Sequence, residues 1–128
     1  MSNTKKTIVI LAHAFVGWAL CAATMGIGMA TLPEQTAIII HAVAAPCIFG
    51  AVSWVYFRRF AYTTPLVTAA LFVGFVMAMD FFVVALLILG SLEMFAGPLG
   101  TWVPFAFIFA STWLMGSMVG RSVRAATA

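Results

Sequence analysis

Four long apolar stretches, each closed by a short polar or proline-bearing break, account for almost the whole chain. The first covers 7–30 and stops at Leu32-Pro33-Glu34-Gln35, and the second covers 36–57 and stops at Arg58-Arg59. The third opens near Thr64-Pro65 and runs to 92, and the fourth covers 100–120 and ends at Arg121. Each is about 20 residues or longer, enough for a helix rising ~1.5 Å per residue to cross a hydrocarbon core ~30 Å thick. Pro65 suits the first turn of a helix, where no backbone donor is needed. The third stretch, about 28 residues, is long enough to predict tilt or extension beyond the core. Lys5 and Lys6 before an apolar run resemble the start of a signal peptide. A signal core spans only about 7–15 residues, so 7–30 reads as a membrane span.

Composition removes the soluble alternative. Hydrophobic residues make up 65% and charged residues 7% of the chain, against about 25% charged in an ordinary soluble domain. The net charge of +3 does not point to nucleic acid, because the six basic residues fall in three pairs and form no basic face. Cys21 and Cys47 both lie inside apolar stretches, so no disulfide framework is expected. Orientation follows from charge. Lys5, Lys6, Arg58, Arg59, Arg121 and Arg124 all fall on one side of a four-span arrangement, and Glu34 and Glu93 on the other. Cytoplasmic loops retain Lys and Arg, which places both termini inside; three or five spans would split the basic pairs. Trp54, Tyr56, Phe57, Phe60 and Tyr62 form an expected inner aromatic belt, and Phe95 and Trp102 an outer one. The expected fold is a single all-α membrane domain over 1–128, an up-down bundle of four transmembrane helices with antiparallel neighbours. Its expected place is a prokaryotic cytoplasmic membrane.

Polar residues inside the spans carry the remaining information, because hydrocarbon penalises them. Counting helical rise from the inner boundary puts Asp80 and His41 at similar depth, roughly 21–24 Å, and His13 only about 10 Å in. A carboxylate at that depth costs roughly 2.5–3.5 kcal/mol and needs a partner or a water-lined cavity. The matched depths predict an Asp80–His41 pair that binds a proton or a cation. Glu34 and Thr24 are candidates for a path leading to it. His13 is too far from His41 in depth for the two to share one haem iron. It lines up instead with Gly17, Cys21, Thr24 and Gly28 in a small-residue stripe suited to helix packing.

Gly116-x-x-x-Gly120 in the fourth stretch is a second close-approach motif. Pro46, mid-span and five residues from His41, is expected to open a local break in the second helix. Phe15-Val16-Gly17-Trp18 is echoed by Phe72-Val73-Gly74-Phe75, which suggests a two-helix repeat. Eight Met, two Cys and two His are soft or borderline ligands, but no spacing among them demands a metal. No nucleotide fingerprint, phosphate loop, loop cysteine pair or catalytic triad is present, and no pattern asks for a cofactor. The leading functional expectation is a small proton- or cation-linked transporter or channel, acting as a homo-oligomer or with a partner in the bilayer. A non-catalytic accessory subunit of a membrane complex is the alternative, with an intramembrane enzyme or redox protein behind both.

Overall fold

The computed structural model describes the backbone of residues 2–127 and the side chains of residues 2–120. The side chains of Arg121 and Arg124, two of the six basic residues that set the orientation, lie outside the described residues. Among the described residues every regular element is helical: α1 (Asn3–Thr31), α2 (Glu34–Arg59), α3 (Pro65–Met79) and α4 (Val103–Thr127). A π-helix, Asp80–Leu89, continues α3 directly, and a 3-10 turn (Glu93–Ala96) and a π turn (Pro98–Trp102) lead into α4. Four helices are long and apolar enough to cross a membrane: Asn3–Thr31, Glu34–Arg59, Pro65–Leu89 and Pro98–Gly120. They match the four apolar stretches, since each break carries the prolines, charges and caps that stop a helix.

Local chemistry explains the ends. The Ser2 hydroxyl accepts from Lys5 N–H at the start of α1, and the Thr64 hydroxyl accepts from Val67 N–H above Pro65 at the start of α3. Both satisfy donors that an uncapped helix leaves orphaned. The break expected at Pro46 is absent, and α2 is helical from Glu34 through to Arg59. A change of winding falls instead in the third span, which has no internal proline. At Asp80 the helix passes from α to π, and Gly90 closes it in a left-handed conformation (φ +66°), its N–H donating to Ala85 C=O. A π segment this long is unusual, since most are single-turn bulges, often at functional sites.

The side chains are arranged inside-out relative to a soluble bundle. Every leucine of the chain is exposed, up to 79% for Leu87, as befits an apolar solvent. Within the bundle lie Ala14, Ala45, Ala69 and Ala85 together with the rings of Phe49, Tyr56 and Phe72. Small residues let backbones approach where no water drives association.

Around the bundle the helices follow the order α1, α2, α4, α3, with α2 and α3 on one diagonal. Contacts set relative directions. Gly17 meets Phe49 and Gly28 meets Ala37, so α1 and α2 are antiparallel. Ile38 meets Gly100 and Phe57 meets Gly116, and Ser53 Oγ donates to Thr112 Oγ1 between them at 3.2 Å. Residue numbers rise together there, so α2 and α4 run the same way. The pairs Lys6–Tyr62 and Trp18–Asp80 do the same for α1 and the third span. The two glycines of the echoed Phe-Val-Gly motif have different surroundings. Gly17 is buried beneath Phe49, whereas Gly74 faces outward, and a methyl placed on it would meet nothing within 4 Å.

These glycines generate a testable contrast. A methyl at Gly116 would fall 2.7 Å from the Phe57 ring and 2.9 Å from Pro65 Cβ, which is fixed in its ring. Gly116→Ala is expected to cost about 1–3 kcal/mol through overpacking, whereas Gly74→Ala is expected to be neutral or to stabilise by up to ~1 kcal/mol. Reversible unfolding in mixed micelles measures both, and equal effects would refute the packing described.

Candidate functional site

Asp80 stands at the point where the third span changes winding. Its own N–H is shared between the carbonyl of Val76, an α-type bond, and that of Met77, a 3-10-type bond, just before the π segment. Its carboxylate crosses to α1, where the Trp18 indole N–H donates to Oδ1 at 2.9 Å. Trp18 follows Gly17, whose missing side chain brings α1 and α2 together at this level. Cys21, one turn further along α1, is buried and within electrostatic reach of Asp80. No Lys, Arg or His among the described residues forms an ion pair with Asp80. Its second oxygen, Oδ2, has no hydrogen bond to another described residue. The arrangement is a half-buried carboxylate with one neutral donor and, among the described residues, no counter-charge.

His41 is not part of it. No hydrogen bond or ion pair joins His41 to Asp80, and His41 Nδ1 is buried without a hydrogen-bond partner. Depth counting treats the second and third spans as neighbours rising from a common level. They are instead diagonal, and the rings of Phe49, Tyr56 and Phe72 fill the space between them, with centroids 5.9–6.0 Å apart. Along α2, His41 stands eight residues from Phe49, about 12 Å, toward the Gly28–Ala37 end of the bundle.

The remaining expected site residues are scattered. Glu34 is exposed in the first turn of α2, where a negative charge complements the helix dipole. The Thr24 hydroxyl donates to Leu20 C=O of its own helix at 2.8 Å. His13 Nδ1 likewise bonds Val9 C=O at 2.7 Å, and its ring stands edge-on to Tyr56 and Phe60. Gly17, Gly28 and Gly116 are contact points between helices, and Gly120 lines a groove at the basic end.

Two features of the structure escape sequence reasoning. Trp18 is one aromatic among many in the sequence, although an indole N–H in a span needs an acceptor and Asp80 is the only carboxylate far from a span's ends. Tyr56, expected in the interfacial belt, is fully buried. Its hydroxyl accepts from Tyr62 N–H at 3.1 Å and shares a 2.8 Å hydrogen bond with Thr63 Oγ1. Thr63 in turn bonds Thr68 Oγ1, which donates to Thr64 C=O. This knot holds the α2–α3 turn, in which Ala61 adopts a left-handed φ of 50°. Compared with protein-family models, curated proteins and solved structures, the chain matches none of them.

Two substitutions separate satisfied from unsatisfied polar groups. Tyr56→Phe is expected to destabilise the bundle by about 1–3 kcal/mol, because Tyr62 N–H loses its acceptor. His41→Leu is expected to be neutral or stabilising, since it removes a buried group without a partner. Denaturant unfolding monitored by far-UV circular dichroism tests the pair, and a large loss of stability in His41→Leu would contradict the assignment.

Proposed function

We infer that the chain is a small proton- or cation-linked transporter or channel whose exchangeable site is the Asp80 carboxylate. The observation that supports this reading is a carboxylate inside a span whose hydrogen-bond partner among the described residues is the neutral Trp18, with no cationic partner among those residues. Inside a span such a group binds either a proton or a cation, and both are transportable species. Trp18, rather than His41, is its partner, holding one oxygen and leaving the other for the ion. Four helices enclose little interior, so a second copy or a partner subunit completes the path past Asp80.

The bundle crosses the cytoplasmic membrane up and down four times, with both termini inside. Supporting this, the contacts Lys6–Tyr62, Phe57–Gly116 and Pro65–Gly116 gather the N-terminus, the Arg58–Arg59 turn and the C-terminal part of α4 at one end. Glu34 opens α2 beside the other end, where Gly28 meets Ala37. Cytoplasmic retention of Lys and Arg then sets the direction.

Purified protein in liposomes carrying pH- and cation-sensitive dyes tests the mechanism. Asp80→Asn keeps an oxygen to accept from Trp18 but removes the charge; it is expected to abolish flux with little loss of stability. Trp18→Phe leaves Asp80 without its donor and is expected to cost about 1.5–3 kcal/mol and to alter ion affinity. Absence of flux in the unaltered protein, or unchanged flux in Asp80→Asn, would sink the reading.

The second reading is an accessory subunit, in which Asp80 acts only as a helix-to-helix anchor through Trp18. Under it, Asp80→Asn leaves every activity intact and Asp80→Leu lowers folding yield. Native mass measurement after mild extraction would show a partner protein rather than a homomer.

A further inference from the structure

Asp80 is the only aspartate of the chain, and what surrounds its carboxylate decides which ions it can hold. A metal cation inside hydrocarbon has to be ligated by several oxygens at once. Calcium takes about 6–8 and magnesium an octahedral set. Potassium and sodium sites in membranes recruit backbone carbonyls, in rings or from unwound helices. Among the described residues Asp80 has no such company. The group bonded to it is the Trp18 indole N–H, a donor with no lone pair to offer a metal. The carbonyls of Val76 and Met77, about one turn back, already accept from the Asp80 N–H. Thr24, the nearest hydroxyl along α1, is about 9 Å of helical rise beyond Trp18 and donates to Leu20 C=O. Cys21 offers a buried thiol, a soft group unsuited to alkali and alkaline-earth ions.

A proton asks for one oxygen, and the geometry suits it. With the indole N–H on Oδ1, that atom plays the carbonyl of a carboxylic acid. Oδ2, which has no hydrogen bond to another described residue, is left to bear the proton. Oδ1 can accept from Trp18 in both states, so loading leaves the link to α1 in place. We propose that the ion exchanged at Asp80 is a proton taken up on Oδ2, to the exclusion of metal cations. The inference rests on the reading of Asp80 as the exchangeable site. Loading forms one O–H bond and discharges the carboxylate; release breaks that bond and returns the proton to water. Few other titratable groups face Asp80. α1 presents Cys21 and, before Trp18, His13, whose Nδ1 is tied to Val9 C=O. The 3-10 turn presents Glu93, which is exposed, near Phe95, whose ring stands 6.2 Å from that of Phe81. α2, across the diagonal, meets α3 through the rings of Phe49 and Tyr56 against Phe72. The described side chains of α4 include no titratable group, and the third span holds no other.

Because Asp80 is the sole aspartate, aspartate isotope-labelled at its side-chain carboxyl and introduced by cell-free synthesis reports on this group alone, in the unaltered protein. Solid-state NMR in lipid bilayers follows that carboxyl through a pH titration in sodium, potassium, magnesium and choline salts at equal ionic strength. A single change from acid to carboxylate is expected, at the same pH in all four. A metal competing with the proton would instead move the midpoint by about one pH unit for each tenfold rise in its concentration. Such a shift, or a carboxyl that stays ionised throughout and responds only to a metal, would overturn the proposal. The liposome assay tells its failure from that of the transport reading. Flux driven by a pH gradient in choline salt alone is expected. Flux that depends on Asp80 but requires sodium, potassium or magnesium would overturn the proton and leave transport standing. Flux in none of the salts would overturn transport, and the titration would still decide what Asp80 binds.

Discussion

Hydrocarbon offers no hydrogen bonds, and nearly every polar contact in this protein answers to that constraint. Helices satisfy their own backbones. Threonines within α1 turn their hydroxyls back onto carbonyls four residues earlier, as Thr7, Thr24 and Thr31 do. Where two helices meet, polar groups meet each other, as in Ser53–Thr112 and Trp18–Asp80. In the irregular connection before α4, Thr101 donates to the Met94 carbonyl, which also accepts from Gly97 N–H, and Trp102 donates to the Phe95 carbonyl. The orphaned Nδ1 of His41 stands out against this background.

The same constraint changes what a core is for. In water, burying leucine drives a bundle together; here leucine outside and leucine inside meet equally apolar surroundings. Stability has to come from close contact, and the residues that permit it are Gly17 under Phe49, Gly28 against Ala37 and Gly116 against Phe57 and Pro65. Aromatic rings then fill the space that four separated backbones enclose. Phe49, Tyr56 and Phe72 occupy the diagonal, and they keep α2 and α3 apart.

The four spans are legible in the sequence because length, hydropathy and breakers are properties of the chain alone. Helix order around the bundle is not. It depends on which small residues meet which rings, and neither Gly17–Phe49 nor Phe57–Gly116 is readable from periodicity. The Asp80–His41 pairing fails for that reason: depth is one coordinate, and two residues at one depth can still be on opposite corners. Asp80 is visible as a carboxylate in an apolar run. Trp18 is hidden by being hydrophobic on every scale that ranks residues by bulk rather than by their donors.

The order of helices around the bundle also bears on how it is made. The chain emerges as α1, α2, α3, α4, but the ring closes as α1, α2, α4, α3. When three spans have entered the bilayer, α2 and α3 both lean on α1 and the fourth corner is empty. Ser53 then has no Thr112 to donate to, and Phe57 and Pro65 face a gap where Gly116 will come. α4 is the wedge that locks the three spans made before it, so a chain interrupted ahead of α4 presents an open seam to quality control.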